Sequence, residues 1–324
     1  MNVAVALCTR NGAAHIEQQI LSILNQSVLP TEVVISDDAS TDNTVALIRG
    51  MFDRHPKPTP QLIVLENAVP LGVTANFEQA LRSCTCELIA LSDQDDIWHT
   101  DRIRVAALQF ESSPSLELLH TDARLVAGDG EPLGVSLFEA LDLTRAEVAA
   151  LESGQSFAPL LKRNLITGAT TMVRKALVAR AIPFPAPWVH DEWLAIVASA
   201  ADGLRMIPNR LIDYRQHGAN EIGVRKLGAP GKIRRIFEPR GGRGDYLLLR
   251  AQVMYARLEG LGSEVSPAYL ELARGKVEHQ RARAALSASR PRRWVPVLRE
   301  VTTGRYRSFS RGAGDILRDL FQPA

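Results

Sequence analysis

The sequence predicts an α/β fold in which a mainly parallel sheet is covered by helices on both faces. Two observations carry this prediction: short apolar runs recur along the first hundred residues, and segments with apolar residues at helical spacing lie between them. Strands are predicted at 3–8, 32–36, 62–65 and 88–91, with helices at 14–24, 44–52 and 74–82. This alternation indicates strand–helix–strand crossovers and therefore parallel neighbours.

The rest of the chain is less regular. Mixed elements follow, with helices predicted at 101–110 and 191–200 and strands at 116–121, 169–173 and 204–207. Beyond residue 222 the sequence becomes basic, with helices predicted at 246–261 and 267–286. We therefore expect one large α/β domain over residues 1–223 and a basic helical C-terminal region over 224–324.

Composition favours an ordinary globular protein in a reduced, cytoplasmic setting. No stretch approaches the roughly 18 apolar residues that a membrane span needs. Residues 1–10 have no basic segment of the kind that opens a signal peptide. Cys8, Cys84 and Cys86 cannot all pair with one another, and their spacing does not match a zinc site.

Charge is divided unevenly along the chain. Residues 1–221 carry 17 Lys and Arg against 27 Asp and Glu, whereas residues 222–324 carry 21 against 9. The basic part mixes Arg with apolar residues at 232–243, 290–299 and 305–321. This mixture favours binding to an anionic membrane surface; the alternative is that the tail packs on the acidic half. No nucleic-acid-binding motif accompanies the charge, so nucleic acid is not expected as a partner.

Polar groups follow three of the predicted strands directly. They are Thr9-Arg10-Asn11, Asp37-Asp38 and Asp93-Gln94-Asp95-Asp96. Ligands of parallel sheets bind beyond the carboxyl ends of the strands, so these groups should converge on one edge. Clustered carboxylates suit Mg²⁺ or Mn²⁺, although a solvated acidic turn or a helix N-terminus explains the cluster equally simply.

Four ordered motifs resemble family 2 glycosyltransferases. They are Ala-Leu-Cys-Thr-Arg-Asn-Gly at 6–12, Val-Ile-Ser-Asp-Asp-Ala-Ser-Thr-Asp-Asn-Thr at 34–44, the segment 67–77, and Ser-Asp-Gln-Asp-Asp-Ile-Trp at 92–98. The likeness extends to about residue 223. It implies a GT-A fold and an inverting transfer from a nucleotide-diphospho sugar.

The resemblance also implies roles for the residues of the sheet edge. Asp38 would bind the nucleobase, with Thr9, Arg10 and Asn11 beside the nucleoside. Asp93 would lie near the sugar or ribose, while Asp95 and Asp96 would hold Mn²⁺ or Mg²⁺ against the donor diphosphate. Which of these three aspartates contact the metal stays open.

Acceptor-side residues come from three later segments. Asp191 is the expected general base, with Glu192 as its rival; the alternative is that the two acids cap a helix and favour its dipole. Gly168, Ala169, Glu192 and Trp193 are expected at the acceptor, although Trp193 is equally suited to the core. The segment 214–223 resembles rhamnosyltransferase-like members. Here Arg215 is expected to contact the diphosphate, and His217 to ligate the metal or contact the diphosphate; the alternative for His217 is a structural hydrogen bond.

These features predict a transferase of bacterial surface polysaccharide synthesis, such as O-antigen or rhamnan. The expected donor is dTDP-rhamnose, the expected acceptor is a lipid-linked oligosaccharide, and the expected location is the inner face of the cell membrane. The alternatives are a sugar nucleotidyltransferase and a non-catalytic carbohydrate- or membrane-binding protein. A dinucleotide-binding dehydrogenase is excluded, because no Gly-x-Gly-x-x-Gly follows the first strand.

Overall fold

The computed structural model describes residues 1–56, 58–216 and 236–323. Its strands are β1 (Val3–Thr9), β2 (Glu32–Asp37), β3 (Gln61–Glu66), β4 (Leu88–Ser92), β5 (Ile97–Trp98), β6 (Leu118–Ala127), β7 (Pro132–Ser136), β8 (Thr171–Arg174) and β9 (Leu204–Gln216). Its first nine helices are α1 (Ile16–Leu24), α2 (Thr44–Arg54), α3 (Val73–Ser83), α4 (Arg102–Ser112), α5 (Leu137–Ala140), α6 (Arg145–Ser153), α7 (Phe157–Lys162), α8 (Lys175–Ala181) and α9 (His190–Ser199). The C-terminal helices are α10 (Arg243–Gly260), α11 (Pro267–Ala284), α12 (Trp294–Thr302), α13 (Arg305–Phe309) and α14 (Ala313–Phe321).

The described strands form a single mixed sheet in the order β3-β2-β1-β4-β8-β6-β9-β5, with β7 paired to β6. The first four strands are mutually parallel, whereas β8 runs antiparallel to both β4 and β6. The predicted α/β class and its parallel first half are therefore confirmed.

The sheet is buried on both faces, as the continuous apolar strands predict. Alternate residues of β1 point to opposite sides: Val5 and Leu7 join the layer that contains Ile20, whereas Ala4 and Ala6 join the layer that contains Phe77. The small alanines leave room for α3 to pack close to the strand.

Strand β9 is much longer than the sequence indicates. The predicted strand at 204–207 continues to Gln216. Pro208 lies inside this strand, although proline cannot donate a ladder hydrogen bond. The structure accommodates Pro208 by a shift in register: Thr121 pairs with Ile207, and Asp122 next pairs with Arg210. The sequence also did not indicate β5, β7 or helices α5 to α8.

The C-terminal helices pack against the α/β part. Tyr246 donates a hydrogen bond to the Pro187 carbonyl at 2.8 Å, and Tyr269 donates to Asp202 at 2.6 Å. These helices are thus docked on the α/β part. The predicted domain boundary near residue 223 lies outside the described residues. No described helix has the length and apolar character needed to cross a membrane.

Candidate active site

The loops after β1 and β4 are joined by the side chain of Gln94. Its Oε1 accepts a hydrogen bond from the Arg10 amide at 2.8 Å, and its Nε2 donates to the Arg10 carbonyl at 3.1 Å. A Cβ on Gly12 would lie 2.3 Å from Gln94 Oε1, so this close approach requires glycine. The Arg10 side chain remains about half exposed at the rim.

Asn11 connects the loops after β1 and β2. It has a φ of 49°, a left-handed conformation that asparagine tolerates better than most residues. Its amide donates to Ser40 Oγ at 2.8 Å, and its Oδ1 accepts from the Thr41 amide at 2.8 Å. The Asn11 side-chain carbonyl is therefore used to hold the protein's own backbone.

Asp38 lies buried where these loops meet. Its carboxylate accepts hydrogen bonds from the amides of Leu71 and Gly72, and Arg10 Nη1 lies 3.9 Å from Asp38 Oδ2. A carboxylate has lone pairs for further donors, so Asp38 can still bind a ligand. The hydroxyl of Thr9 donates to Asp37 at 2.7 Å and helps to fix this corner.

The acidic loop after β4 is held in place by Arg215. The backbone amide of Arg215 donates to Asp96 Oδ1 at 3.0 Å, and its Nε donates to the Asp95 carbonyl at 2.8 Å. Its two terminal nitrogens donate to the Gly128 carbonyl and to Gln18 Oε1, each at 2.7 Å. Arg215 is 2% exposed. The structure thus gives it a role in positioning the loop, which differs from the predicted contact with the donor diphosphate.

Asp96 has a buried carboxylate oxygen, Oδ2, without a hydrogen-bond partner among the described residues. Burial, with Asp95 and Asp93 nearby, holds its pKa well above the usual range. Arg102 lies behind the loop, stacked 3.7 Å from the centre of the Trp98 ring and donating to the Leu91 carbonyl at 3.0 Å. A buried carboxylate oxygen that lacks a partner fits a divalent cation nearby.

Asp191 stands at the start of α9. Its Oδ2 accepts from the Gly168 amide at 2.9 Å, and its Oδ1 accepts from the Glu192 amide at 2.6 Å. Burial raises the pKa of Asp191 to about 6, against the lowering effect of these two amides. A carboxylate that is ionised at neutral pH, yet more basic than usual, is well suited to accept a proton.

The residue before it, His190, forms an apolar wall. Its ring stacks on Phe77 with centroids 3.8 Å apart, and neither ring nitrogen has a hydrogen-bond partner among the described residues. Burial lowers the pKa of His190 to about 3, so the ring is neutral near pH 7. A Cβ on Gly168 would lie 2.9 Å from His190 Nε2, so glycine is needed to bring the Gly168 amide to Asp191.

Glu192, the rival base, is already paired. Arg250 of α10 lies 2.6 Å from its carboxylate and 3.9 Å from the centre of the Trp188 ring. Burial raises the pKa of Glu192 while Arg250 opposes the rise. The predicted acceptor contact of Trp193 is wrong, because its side chain is completely buried and donates to the Ala181 carbonyl.

One cleft of about 1860 Å³ brings most of these groups together. Nine of the predicted site residues line it: Thr9, Arg10, Asn11, Asp38, Asp93, Asp95, Gly168, Asp191 and Glu192. Asp96, Ala169 and Arg215 lie behind its wall. The predicted metal ligand His217 is outside the described residues. The expected convergence of the three strand ends is confirmed.

Three further residues shape the site and were not predicted. Gln94 joins two loops, Arg102 places a cation behind Asp96, and Arg250 pairs with Glu192. Gln94 lies inside the acidic motif and could have been noticed there. Nothing in the sequence links Arg250 to Glu192, because the two are far apart along the chain.

Residues 4–133 match the family model described as Glycosyl transferase family 2. This segment is a family 2 glycosyltransferase sequence. The family 2 segment includes every strand from β1 to β6, and with them Asp38 and the acidic loop. The predicted relationship is therefore confirmed.

Known proteins resemble the family 2 segment and the wider chain to different extents. The dTDP-rhamnosyl transferase RfbG of Shigella flexneri is 34% identical over 105 residues, covering 31% of this chain and 35% of its own length. TarS 1–349 of S. aureus, solved with UDP-GlcNAc, superposes with a TM-score of 0.59 at 16% identity, covering 98% of this chain and 90% of that one.

A second solved structure is the mannosyltransferase PcManGT of Pyrobaculum calidifontis in complex with GDP-Man and Mn²⁺. It superposes with a TM-score of 0.52 at 19% identity, covering 94% of this chain and 76% of that one. These two likenesses confirm the GT-A fold. The chain spans about half the length of the first curated relatives that it matches.

Proposed function

We propose that this protein is an inverting, metal-dependent glycosyltransferase that moves a sugar from a nucleotide-diphospho donor to an acceptor hydroxyl. One observation carries the proposal: a single cleft holds Asp38, Asp93 and Asp95 at the strand ends and Asp191 on α9. In this assignment Asp38 and Arg10 contact the nucleoside, and Asp93 lies near the sugar. Thr9, Asn11 and Arg215 hold the loops that carry these groups.

The reaction assigns one proton transfer to the protein. The acceptor oxygen forms a bond to the anomeric carbon of the donor sugar while the bond from that carbon to the diphosphate breaks. Asp191 takes the proton from the acceptor hydroxyl. The amides of Gly168 and Glu192 fix the orientation of its carboxylate, and the neutral His190 ring beside it limits solvation. The leaving diphosphate carries away the bonding electron pair.

A divalent cation, Mn²⁺ or Mg²⁺, would stabilise the charge that develops on the leaving diphosphate. Asp95 and Asp96 are the residues that would hold it, and the partnerless Oδ2 of Asp96 supports this assignment. The described residues contain no preformed group of three or more ligands. The donor phosphates would therefore complete the coordination, as is common for Mg²⁺. His217 is retained as a further candidate ligand.

For the donor we infer dTDP-rhamnose. The motifs at 92–98 and 214–218 support this choice, and so does the name of the Shigella flexneri relative. For the acceptor we infer a lipid-linked oligosaccharide of bacterial surface polysaccharide synthesis, used at the inner face of the membrane.

An apolar patch on the C-terminal helices supports membrane contact. Trp294, Val295, Leu298 and Val301 of α12 are 47%, 77%, 52% and 38% exposed, and Trp294 touches Phe321 of α14 edge-on. Exposed arginines flank the patch at 290, 292 and 299. Apolar side chains within a basic border are typical of proteins that bind anionic bilayers.

Disrupting this patch should release the protein from anionic vesicles. We expect the double variant Val295→Asp/Leu298→Asp to bind phosphatidylglycerol-containing vesicles about tenfold more weakly than wild type, because two apolar contacts are lost and two negative charges are added. Cosedimentation measures the effect. Leu133→Asp, on the equally exposed β7, should bind normally. Equal binding by the double variant and wild type would remove the patch from the proposal.

The overall proposal is tested by incubating the protein with a panel of nucleotide sugars and Mn²⁺ or Mg²⁺. Release of the nucleoside diphosphate, fastest with dTDP-rhamnose, is the expected result. Release of inorganic diphosphate from a nucleoside triphosphate and a sugar phosphate would instead identify a nucleotidyltransferase. No turnover with any donor, together with intact nucleotide-sugar binding, would indicate a non-catalytic binding protein.

A further inference from the structure

The two ends of the cleft carry opposite charge. The end formed by the strand edges is acidic and contains Asp38, Asp93 and Asp95. The end formed by the C-terminal helices is basic and is lined by Arg243 and Arg250 of α10, Lys276 and Arg283 of α11, and Arg318 of α14. A donor diphosphate at the acidic end needs a cation, whereas an anion at the basic end does not.

Three of these cations are neutralised within the protein. Their partners are Glu192 for Arg250 at 2.6 Å, Asp319 for Arg283 at 2.6 Å and Glu238 for Arg318 at 3.5 Å. The carboxylate of Asp315 also faces this end of the cleft and lies 3.5 Å from Arg283.

Three other side chains at the basic end have N–H groups that make no hydrogen bond with the described residues. Arg243 is half-buried and makes no side-chain hydrogen bond or ion pair with the described residues. Lys276 donates to the carbonyls of Leu161 and Phe309, each at 2.7 Å, and has a third N–H. Gln280 is 2% exposed, lines the cleft and makes no side-chain hydrogen bond within the described part of the chain.

These groups share one wall. Lys276 and Gln280 are four residues apart on α11 and so lie on the same face of that helix. Helix α10 packs against α11, and a Cβ on Gly244, next to Arg243, would lie 3.4 Å from Ala284 Cα. An unpaired amide that lines the cleft can donate to a ligand that accepts a hydrogen bond.

The electrostatics of the wall agree with an anionic ligand. Burial, followed by the nearby Arg283, lowers the pKa of Lys276 to about 7. Burial, followed by Arg318 and Arg283, lowers the pKa of Arg243 to about 10. The protein thus holds cationic groups close together in a partly dry site, and an anion placed between them would relieve their repulsion.

We propose that Arg243, Lys276 and Gln280 bind a phosphate group of the acceptor. This rests on the proposed function, since it names the chemistry of the acceptor that faces Asp191. Phosphate oxygens accept hydrogen bonds from guanidinium, ammonium and amide donors at once, and charge-assisted bonds of this kind are strong. The phosphate belongs either to a lipid carrier or to a soluble phosphate-containing glycan.

The test measures binding of two probes, inorganic pyrophosphate and farnesyl diphosphate, by calorimetry with the full chain. Chelator is present, and donor and divalent metal are absent, so the result does not depend on transfer. We expect Arg243→Gln to weaken both probes by roughly tenfold, the size of one lost charge-assisted hydrogen bond. Arg54→Gln removes the same charge from the exposed surface of α2, away from both the cleft and the apolar patch, and should leave binding unchanged.

Arg243 makes no side-chain hydrogen bond or ion pair with the described residues, so Arg243→Gln should fold normally, and a thermal unfolding scan checks this. Weaker binding of both probes in this variant supports the site. Farnesyl diphosphate binding more tightly than pyrophosphate then identifies a lipid carrier, and equal affinities identify a soluble phosphate. Undetectable binding to wild type, or equal affinities in Arg243→Gln and Arg54→Gln, overturns the proposal even if transfer itself is demonstrated.

Discussion

Asp191→Asn should reduce sugar transfer by about two to four orders of magnitude, the usual contribution of a positioned general base. The amide is nearly the same size as the carboxylate but cannot take the acceptor proton. Donor affinity should be unchanged, because the acidic loop and Asp38 lie elsewhere in the cleft. Steady-state rates with saturating donor and acceptor, together with calorimetric titration of the donor, separate these two effects.

Glu192→Gln is the matched control. Glu192 is paired with Arg250 at 2.6 Å and should therefore contribute to packing of α10 rather than to proton transfer. We expect a smaller loss of rate and a lower unfolding temperature. The assignment of the base would be reversed if Glu192→Gln abolished transfer while Asp191→Asn retained it.

Asp191 should also set the acid limb of the pH profile of transfer. Burial raises the pKa of Asp191 to about 6, and only the ionised form accepts a proton. Transfer should therefore fall about tenfold per pH unit below about 6 and level off above it. His190 cannot produce this limb, because its pKa is lowered to about 3. The profile of kcat between pH 4.5 and about 8 tests the prediction; a rate independent of pH near 6 would contradict it.

The first half of the fold could be predicted because its signals are local. Buried parallel strands are apolar without interruption, and the helices between them carry apolar residues at helical spacing. The position of Asp38 and of the acidic loop follows from topology alone, since parallel strands end at the same edge. The hydrogen bond from the Gly168 amide to Asp191 could not be predicted in this way. It requires a glycine because the backbone at 168 lies close to the His190 ring, and that contact is visible only in the structure.

The remaining features depend on contacts between distant parts of the chain. Arg215 was expected to face the donor, yet its position beside the acidic loop lets it hold the backbone of Asp95. Trp193 follows the acidic pair directly, but each helical residue is rotated by about 100° from the one before it, so Trp193 points into the core and not into the cleft. Composition showed that the C-terminal region is basic; only the structure distinguishes arginines that form ion pairs with Glu192 and Asp319 from Arg243, which forms no ion pair with the described residues.

Asp95→Asn should lower transfer by about a hundredfold at a fixed, moderate Mn²⁺ concentration. A metal that stabilises a leaving diphosphate supplies several kcal/mol, and loss of one charged ligand removes a large part of this. Asp95 lines the cleft, whereas Arg215 secures its backbone carbonyl, so the loop should keep its position in the variant. Raising the Mn²⁺ concentration should restore part of the rate, because the variant binds the ion weakly but still presents Asp93 and Asp96.

Two measurements separate metal binding from general damage. The half-saturating Mn²⁺ concentration should rise in Asp95→Asn and stay at the wild-type value in Asp53→Asn, which changes an exposed carboxylate on α2. Electron paramagnetic resonance of free Mn²⁺ should show weaker Mn²⁺ binding by Asp95→Asn than by wild type and Asp53→Asn. Binding should be tight only when a nucleoside diphosphate is present. Normal Mn²⁺ binding by Asp95→Asn would transfer the ligand role to Asp93 or Asp96. Full activity under complete chelation would remove the metal from the reaction.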